Sequence, residues 1–136
     1  MRNDNLAQSW ITIAGIALVA AGLLGFVNNP IVGPANAIFA TGTVHNIVHV
    51  LTGALALYIA FGLKGEMQAN AVIGFGILYA VIFVALLVSA NLFGLFEYPV
   101  NVGDHVLHIG VSIISLAVGW MARTSAMRAS APSMSR

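Results

Sequence analysis

Thr43–Gly53, TVHNIVHVLTG, and Asn101–Ser112, NVGDHVLHIGVS, hold all four histidines of the chain, and each opens a long apolar run. In the first stretch His45 and His49 are four residues apart, so on a helix they stand one turn apart on one face, which Thr52 and Gly53 continue. In the second, Asp104 and His108 are four apart, while Asn101 and Asp104, and His105 and His108, are three apart. Imidazole and carboxylate at the mouth of an apolar helix are costly unless they are paired, solvated or used. These stretches therefore mark both the architecture and the one place where chemistry is expected.

The surrounding composition decides the class. Of 136 residues, 60% are hydrophobic and 7% charged. A soluble domain of this length has too little interior to hide so much apolar side chain. The expected fold is all-α, an integral membrane four-helix bundle whose first partner is the lipid bilayer. A net charge of +1 excludes the basic patch of a nucleic-acid binder. With no cysteine, disulfides, thiolate metal sites, iron–sulfur clusters and cysteine nucleophiles are excluded.

Working outward from the histidines, helices are expected over about 10–27, 43–63, 69–90 and 104–122. Trp10 opens the first, at the headgroup level where an aromatic anchor belongs. The apolar core of that run, about 17 residues, exceeds the ~7–15 of a signal-peptide core, so it reads as a span although Ala35-Asn36-Ala37 looks like a cleavage site. Residues 28–42, with two prolines, two glycines and three asparagines, form a loop, and Lys64-Gly65-Glu66 a tight turn. Residues 91–103 form a second, aromatic-rich loop. Asp104 is placed as N-cap or first-turn acid of the fourth helix. The Ser-, Ala- and Arg-rich residues 123–136 are expected to be a disordered tail.

Arg2, Lys64, Arg123, Arg128 and Arg136 are all the basic residues of the chain. With both termini cytoplasmic, all five fall on the cytoplasmic side and the two long loops, which contain none, lie outside. Both histidine stretches then begin at the extracytoplasmic face. An internal repeat is also expected: aligning His49 with His108 aligns His45 with Asp104 and Asn46 with His105, while Gly15-Ile16 falls near Gly76-Ile77. An offset of one helical hairpin makes the copies parallel, related by an axis along the membrane normal. Such a bundle would bring helices 2 and 4 together, with Thr52, Gly53, Ala56 and Ala60 facing Ser112, Ser115 and Gly119.

The motif HN-x-x-H-x-x-x-G (His45, Asn46, His49, Gly53) followed by N-x-x-D-x-x-x-H (Asn101, Asp104, His108) resembles a family of small bacterial four-helix membrane proteins catalogued as a domain of unknown function. The resemblance spans roughly Trp10–Trp120. It implies four helices and a bacterial inner membrane, and brings no activity.

Function must then come from the residues. His45, His49, His108, His105 and Asp104 can offer nitrogen and oxygen ligands to a transition metal such as Zn²⁺, Cu²⁺ or non-haem iron, with Asn46, Asn101 and Thr52 as a supporting hydrogen-bond network. The competing reading is a structural network in which the histidines bond one another, the asparagines and loop carbonyls. Haem ligation by His49 and His108 suits a crowded helix end less well. An ion pathway would need ionisable groups at mid-membrane, and the helices carry none there. No nucleophile elbow or phosphate-binding loop occurs, so no catalytic residue is assigned. The expected protein is a non-enzymatic membrane protein whose cluster is structural or metal-binding. The alternatives are an accessory subunit of a larger respiratory or photosynthetic complex, through contact with other subunits or self-association, and a haem-ligating or redox protein.

Overall fold

The computed structural model describes residues 3–34 and 36–130, with only the backbone of Asp4. These residues form four helices: α1 (Asn3–Leu24), α2 (Thr43–Gly62), α3 (Gly65–Val88) and α4 (Val102–Ser130). Each is long and apolar enough to cross a membrane, and large apolar side chains such as Ile13, Leu51, Phe61, Val81 and Ile113 face outward. An outward apolar face with an apolar core suits lipid as the surrounding solvent.

The elements start and stop for local reasons. α4 opens on a reciprocal capping pair: the Asn101 side-chain oxygen accepts the Asp104 N–H at 3.2 Å, and the Asp104 carboxylate accepts the Asn101 N–H at 2.8 Å. Asp104 is thus the first-turn acid and Asn101 the cap. α2 has no side-chain cap of its own at Gly42; instead the carboxylate of Glu97, from the second loop, accepts the Val44 N–H at 3.4 Å. At its other end the Gln68 amide donates to the carbonyls of Ile59, Ala60 and Leu63, satisfying groups that a helix end leaves bare.

α3 begins at Gly65, inside the turn expected at Lys64-Gly65-Glu66 and four residues before its expected start. Two helix ends extend further: α1 begins at Asn3, and α4 continues to Ser130 through residues expected to be unstructured. The added segments pack on each other, the Asn3 amide donating to the Ser125 hydroxyl at 2.8 Å. The Ala, Met and Arg content of 123–130 favours helix, and Arg128 in the last turn suits the negative end of the helix dipole. The remainder of the expected tail, 131–136, lies outside the described residues.

α1 packs along α2, α3 along α4, and α1 also along α4. Among the described residues α2 and α4 share no backbone contact. They stand diagonally across the bundle and meet only through side chains. Of the small residues expected between them, Gly53, Ser112 and Gly119 serve the hairpins instead. A Cβ on Gly53 would lie 2.7 Å from the Val19 backbone nitrogen of α1, and one on Gly119 2.9 Å from the Ile73 nitrogen of α3. Gly15 abuts Leu57 and the Gly53 carbonyl; Gly76 abuts Leu116 and the Ser112 carbonyl. Contacts this close between backbones are what small residues permit in membranes, where no hydrophobic force drives helices together.

The interior between the hairpins is apolar, with Ile11, Leu18, Ala56, Val72, Phe75, Tyr79 and Val111. At the end carrying the long loops a smaller core of Leu86, Phe96 and Val100 forms against Val44 and Val48. The first loop folds on itself through a short parallel pair, β1 (Val32–Gly33) with β2 (Phe39–Ala40). It is tied to α4 because the Ala40 N–H donates to Asp104 at 3.0 Å and the Asn101 amide to the Ala37 carbonyl at 3.1 Å. The two loops therefore close the histidine end of the bundle.

Candidate metal centre

His45 and His49 project from the first two turns of α2, and His108 from the second turn of α4. All three are buried, at 1%, 3% and 3% exposure. Because α2 and α4 face each other diagonally, long side chains at matching depth meet on the bundle axis. One ring nitrogen from each histidine lies within 4.8 Å of the others. The ring centroids of His45 and His49 are 4.4 Å apart, and His108 stands 6.0 Å from His45 and 6.2 Å from His49.

What these rings bond to is as informative as where they sit. His108 Nδ1 lies 2.6 Å from the Asp104 carbonyl. A carbonyl can only accept, so Nδ1 carries the hydrogen and Nε2 keeps its lone pair. Both ring nitrogens of His49 are buried without a hydrogen-bond partner, and both of His45 are buried without one of good geometry, although the Ala40 backbone lies close enough to act on that ring. Leaving one buried polar atom unpaired costs about 1–3 kcal/mol, so four on two adjacent residues are a substantial strain on the fold. They are also an available set of donors. Three inward nitrogens, one with its tautomer set by a backbone carbonyl, could hold a metal ion.

Aromatic rings wall the triad. Phe96 stacks on His45 at 4.3 Å, 7° from parallel, and Tyr79 of α3 lies against His108 at 5.7 Å. The Tyr79 hydroxyl is 3.0 Å from Thr52 Oγ1, which itself donates to the Val48 carbonyl at 2.8 Å. Threonine has one hydrogen to give, so Tyr79 is the donor and its hydroxyl is turned to Thr52. Phe96 is delivered by a turn in which Leu92, Phe93 and Gly94 have φ of 50°, 58° and 87°. The Ser89 hydroxyl accepts the Phe93 N–H, and the Asn91 carbonyl the Phe96 N–H. Left-handed backbone at two non-glycine residues carries a conformational cost, which these bonds and the buried Phe96 offset.

The other expected site residues are placed elsewhere. Asp104 turns its carboxylate to the N–H groups of Ala40 and Asn101, away from the ring nitrogens, and serves the triad through its carbonyl. His105 points sideways, its ring edge-on to Phe83 at 5.8 Å. Asn46 lies against α1, where its amide fills the space above Gly25, and its oxygen is unpaired. Asn101 acts as cap and loop tie. Thr52 alone among the supporting residues reaches the site, through Tyr79. Two residues of the site, Tyr79 and Phe96, are absent from the expected set, the tyrosine because by sequence it reads as simple packing. The signal that could have found Tyr79 is a hydroxylated aromatic in mid-span, which needs a partner in lipid.

Residues 8–121 match the protein family described as Domain of unknown function (DUF4383). Comparison with curated proteins and with solved structures finds no match.

Proposed function

The chain belongs to that family, to whose name no activity is attached, and we propose that it is a metal-binding protein of a bacterial inner membrane, its ion held by His45, His49 and His108. The observation that carries this reading is the convergence within 4.8 Å of three buried imidazole nitrogens, those of His45 and His49 without a hydrogen-bond partner. A structural network, the competing reading, would need those nitrogens bonded to one another, to the asparagines or to loop carbonyls. Tetrahedral metal–nitrogen bonds of about 2.0–2.1 Å set the nitrogens roughly 3.3 Å apart, a separation that modest side-chain rotation reaches from the positions seen. Three histidine ligands leave a coordination position for a further small ligand.

The charge distribution supports an orientation with both termini in the cytoplasm and the metal centre beneath the extracytoplasmic surface. The like contacts of Gly15 with Leu57 and of Gly76 with Leu116 support a bundle built from two parallel hairpin repeats. In that reading His49 and His108 are equivalent positions, and His45 is the ligand with no counterpart, since Asp104 occupies its place.

The test is metal analysis of protein purified without chelators from its native membrane, beside His49→Ala and His105→Ala. About one equivalent of zinc, copper or iron, lost in His49→Ala and retained in His105→Ala, is expected. Absence of metal from all three, or equal retention in all three, would overturn the proposal.

A further inference from the structure

We infer that the ion suited to this triad is monovalent copper, in preference to any divalent cation; the inference rests on the metal-binding reading above. It follows from the charge of the site. Every donor is a neutral imidazole: the His108 Nδ1 hydrogen is held by the Asp104 carbonyl, and nothing anionic is bonded to His45 or His49. Among the described residues the convergent group contains histidines only.

The two carboxylates near this end bond other groups, each through one oxygen. Asp104 Oδ2 accepts from Ala40 and Asn101, and Glu97 Oε2 accepts from Val44 at the start of α2. The remaining walls are the faces of Phe96 and Tyr79, the latter with its hydroxyl turned to Thr52. No carboxylate is bonded to the triad, and Glu97 acts on His45 only through space, so an ion seated here keeps most of its charge among apolar rings and lipid-facing helices.

The cost of taking an ion out of water rises with the square of its charge, so a divalent ion meets about four times the penalty of a monovalent one of similar size. To offset that, Zn²⁺ or Fe²⁺ would have to bring an anion, and the one always at hand is hydroxide, formed when a bound water releases a proton. Cu(I) needs no such anion. Its filled d shell accepts two or three neutral nitrogens without demanding a fourth ligand, and its softness tolerates aromatic neighbours. The absence of an acidic ligand thereby selects for low charge.

The experiment uses the full chain in phosphatidylcholine nanodiscs. Cu(I) is offered under argon from bicinchoninate, and Zn(II) separately from a chelating indicator. One Cu(I) per chain is expected, held roughly 100-fold more tightly than Zn(II), a ratio of about 2.8 kcal/mol, with Zn(II) uptake releasing a proton into weak buffer. Phe96→Glu, which sets a carboxylate beside His45, is expected to raise Zn(II) affinity and shrink the ratio. Zn(II) bound as tightly as Cu(I) by the unaltered protein would overturn this inference and leave the metal reading standing. Neither ion bound by helical, monodisperse protein would overturn both. The unaltered protein decides the matter even where Phe96→Glu does not fold.

Discussion

Replacing His49 with leucine separates a metal ligand from a hydrogen-bonded staple, because the two roles predict opposite signs in metal-free protein. His49 is 3% exposed and neither ring nitrogen has a partner. At about 1–3 kcal/mol for each unpaired polar atom, the metal-free native state carries roughly 2–6 kcal/mol that leucine would relieve. Against this stand the lost ring contacts with His45 and His108, about 0.5–1.5 kcal/mol each, and imperfect fit of the new side chain, up to ~1.5 kcal/mol. With central values of about 4, 2 and 0.75 kcal/mol for these terms, the net expectation in chelator is a change of about 1 kcal/mol in favour of His49→Leu. Metal reverses the order: at a free concentration of about 100 times the dissociation constant the unaltered protein gains about 2.7 kcal/mol, and the variant, with two ligands left, gains little. Reversible unfolding in mixed micelles, titrated with dodecyl sulfate and followed by circular dichroism, reads both conditions. A variant that is less stable than the unaltered protein in chelator, by the same margin as in metal, would refute the reasoning, since the imidazole would then be contributing bonds of its own.

Three further expectations test the frame around the site. Gly53→Ala forces a Cβ to 2.7 Å from the Val19 nitrogen, whereas Gly74→Ala meets nothing within 4 Å; the first should cost about 1–3 kcal/mol as overpacking and the second should gain up to ~1 kcal/mol as a better helix former, and equal unfolding midpoints would contradict the packing described. Asp104→Ala strands the N–H groups of Ala40 and Asn101 and removes the capping partner of α4, so a loss of roughly 2–4 kcal/mol is expected with metal retained; loss of metal with stability intact would make its carboxylate a ligand after all. Single cysteines are clean topology probes in a chain that has none: an impermeant maleimide on intact cells should label Tyr98→Cys and spare Lys64→Cys, and the opposite pattern would invert the orientation.

How far the sequence could be read depended on the kind of signal. Four spans were legible because apolar runs of membrane length have few other meanings, and His45, His49 and His108 were legible because ionisable groups are rare in them. Helix ends were less so. Asn3–Ser9 and Arg123–Ser130 look like polar tails, yet each gives the other a surface, as the bond of Asn3 to Ser125 illustrates. The role of the small residues was misjudged for a related reason: glycine and serine at helical spacing say that another helix comes close, and are silent about which one. Gly53 serves α1, and Gly119 serves α3. Asp104 and His105 were grouped with the ligands because spacing along a helix gives a face, whereas the direction of a side chain in the first turn is decided by capping. Phe96 could not be assigned at all, since a loop aromatic reaches His45 only by way of a left-handed turn at Leu92–Gly94.

The two ends of the bundle meet the same penalty for buried polar groups and meet it differently. At the end with the short turn, Gln68 is 4% exposed and the two N–H groups of its amide are shared among three carbonyls, and Gln8 donates to Ala60. Midway, Trp10 donates to Ser115 and Ser112 to the Gly76 carbonyl. At the loop end Thr41, His45, Asn46, His49 and His105 all hold buried side-chain atoms without partners, and among the described residues elsewhere only the Arg123 Nε does. A chain that pairs its polar groups through most of its length has the means to pair these, and a histidine that merely filled space could be replaced by leucine at a gain. That His45 and His49 stand unpaired side by side, each with a nitrogen within 4.8 Å of one on His108, supports the proposed metal-binding reading over a purely structural one.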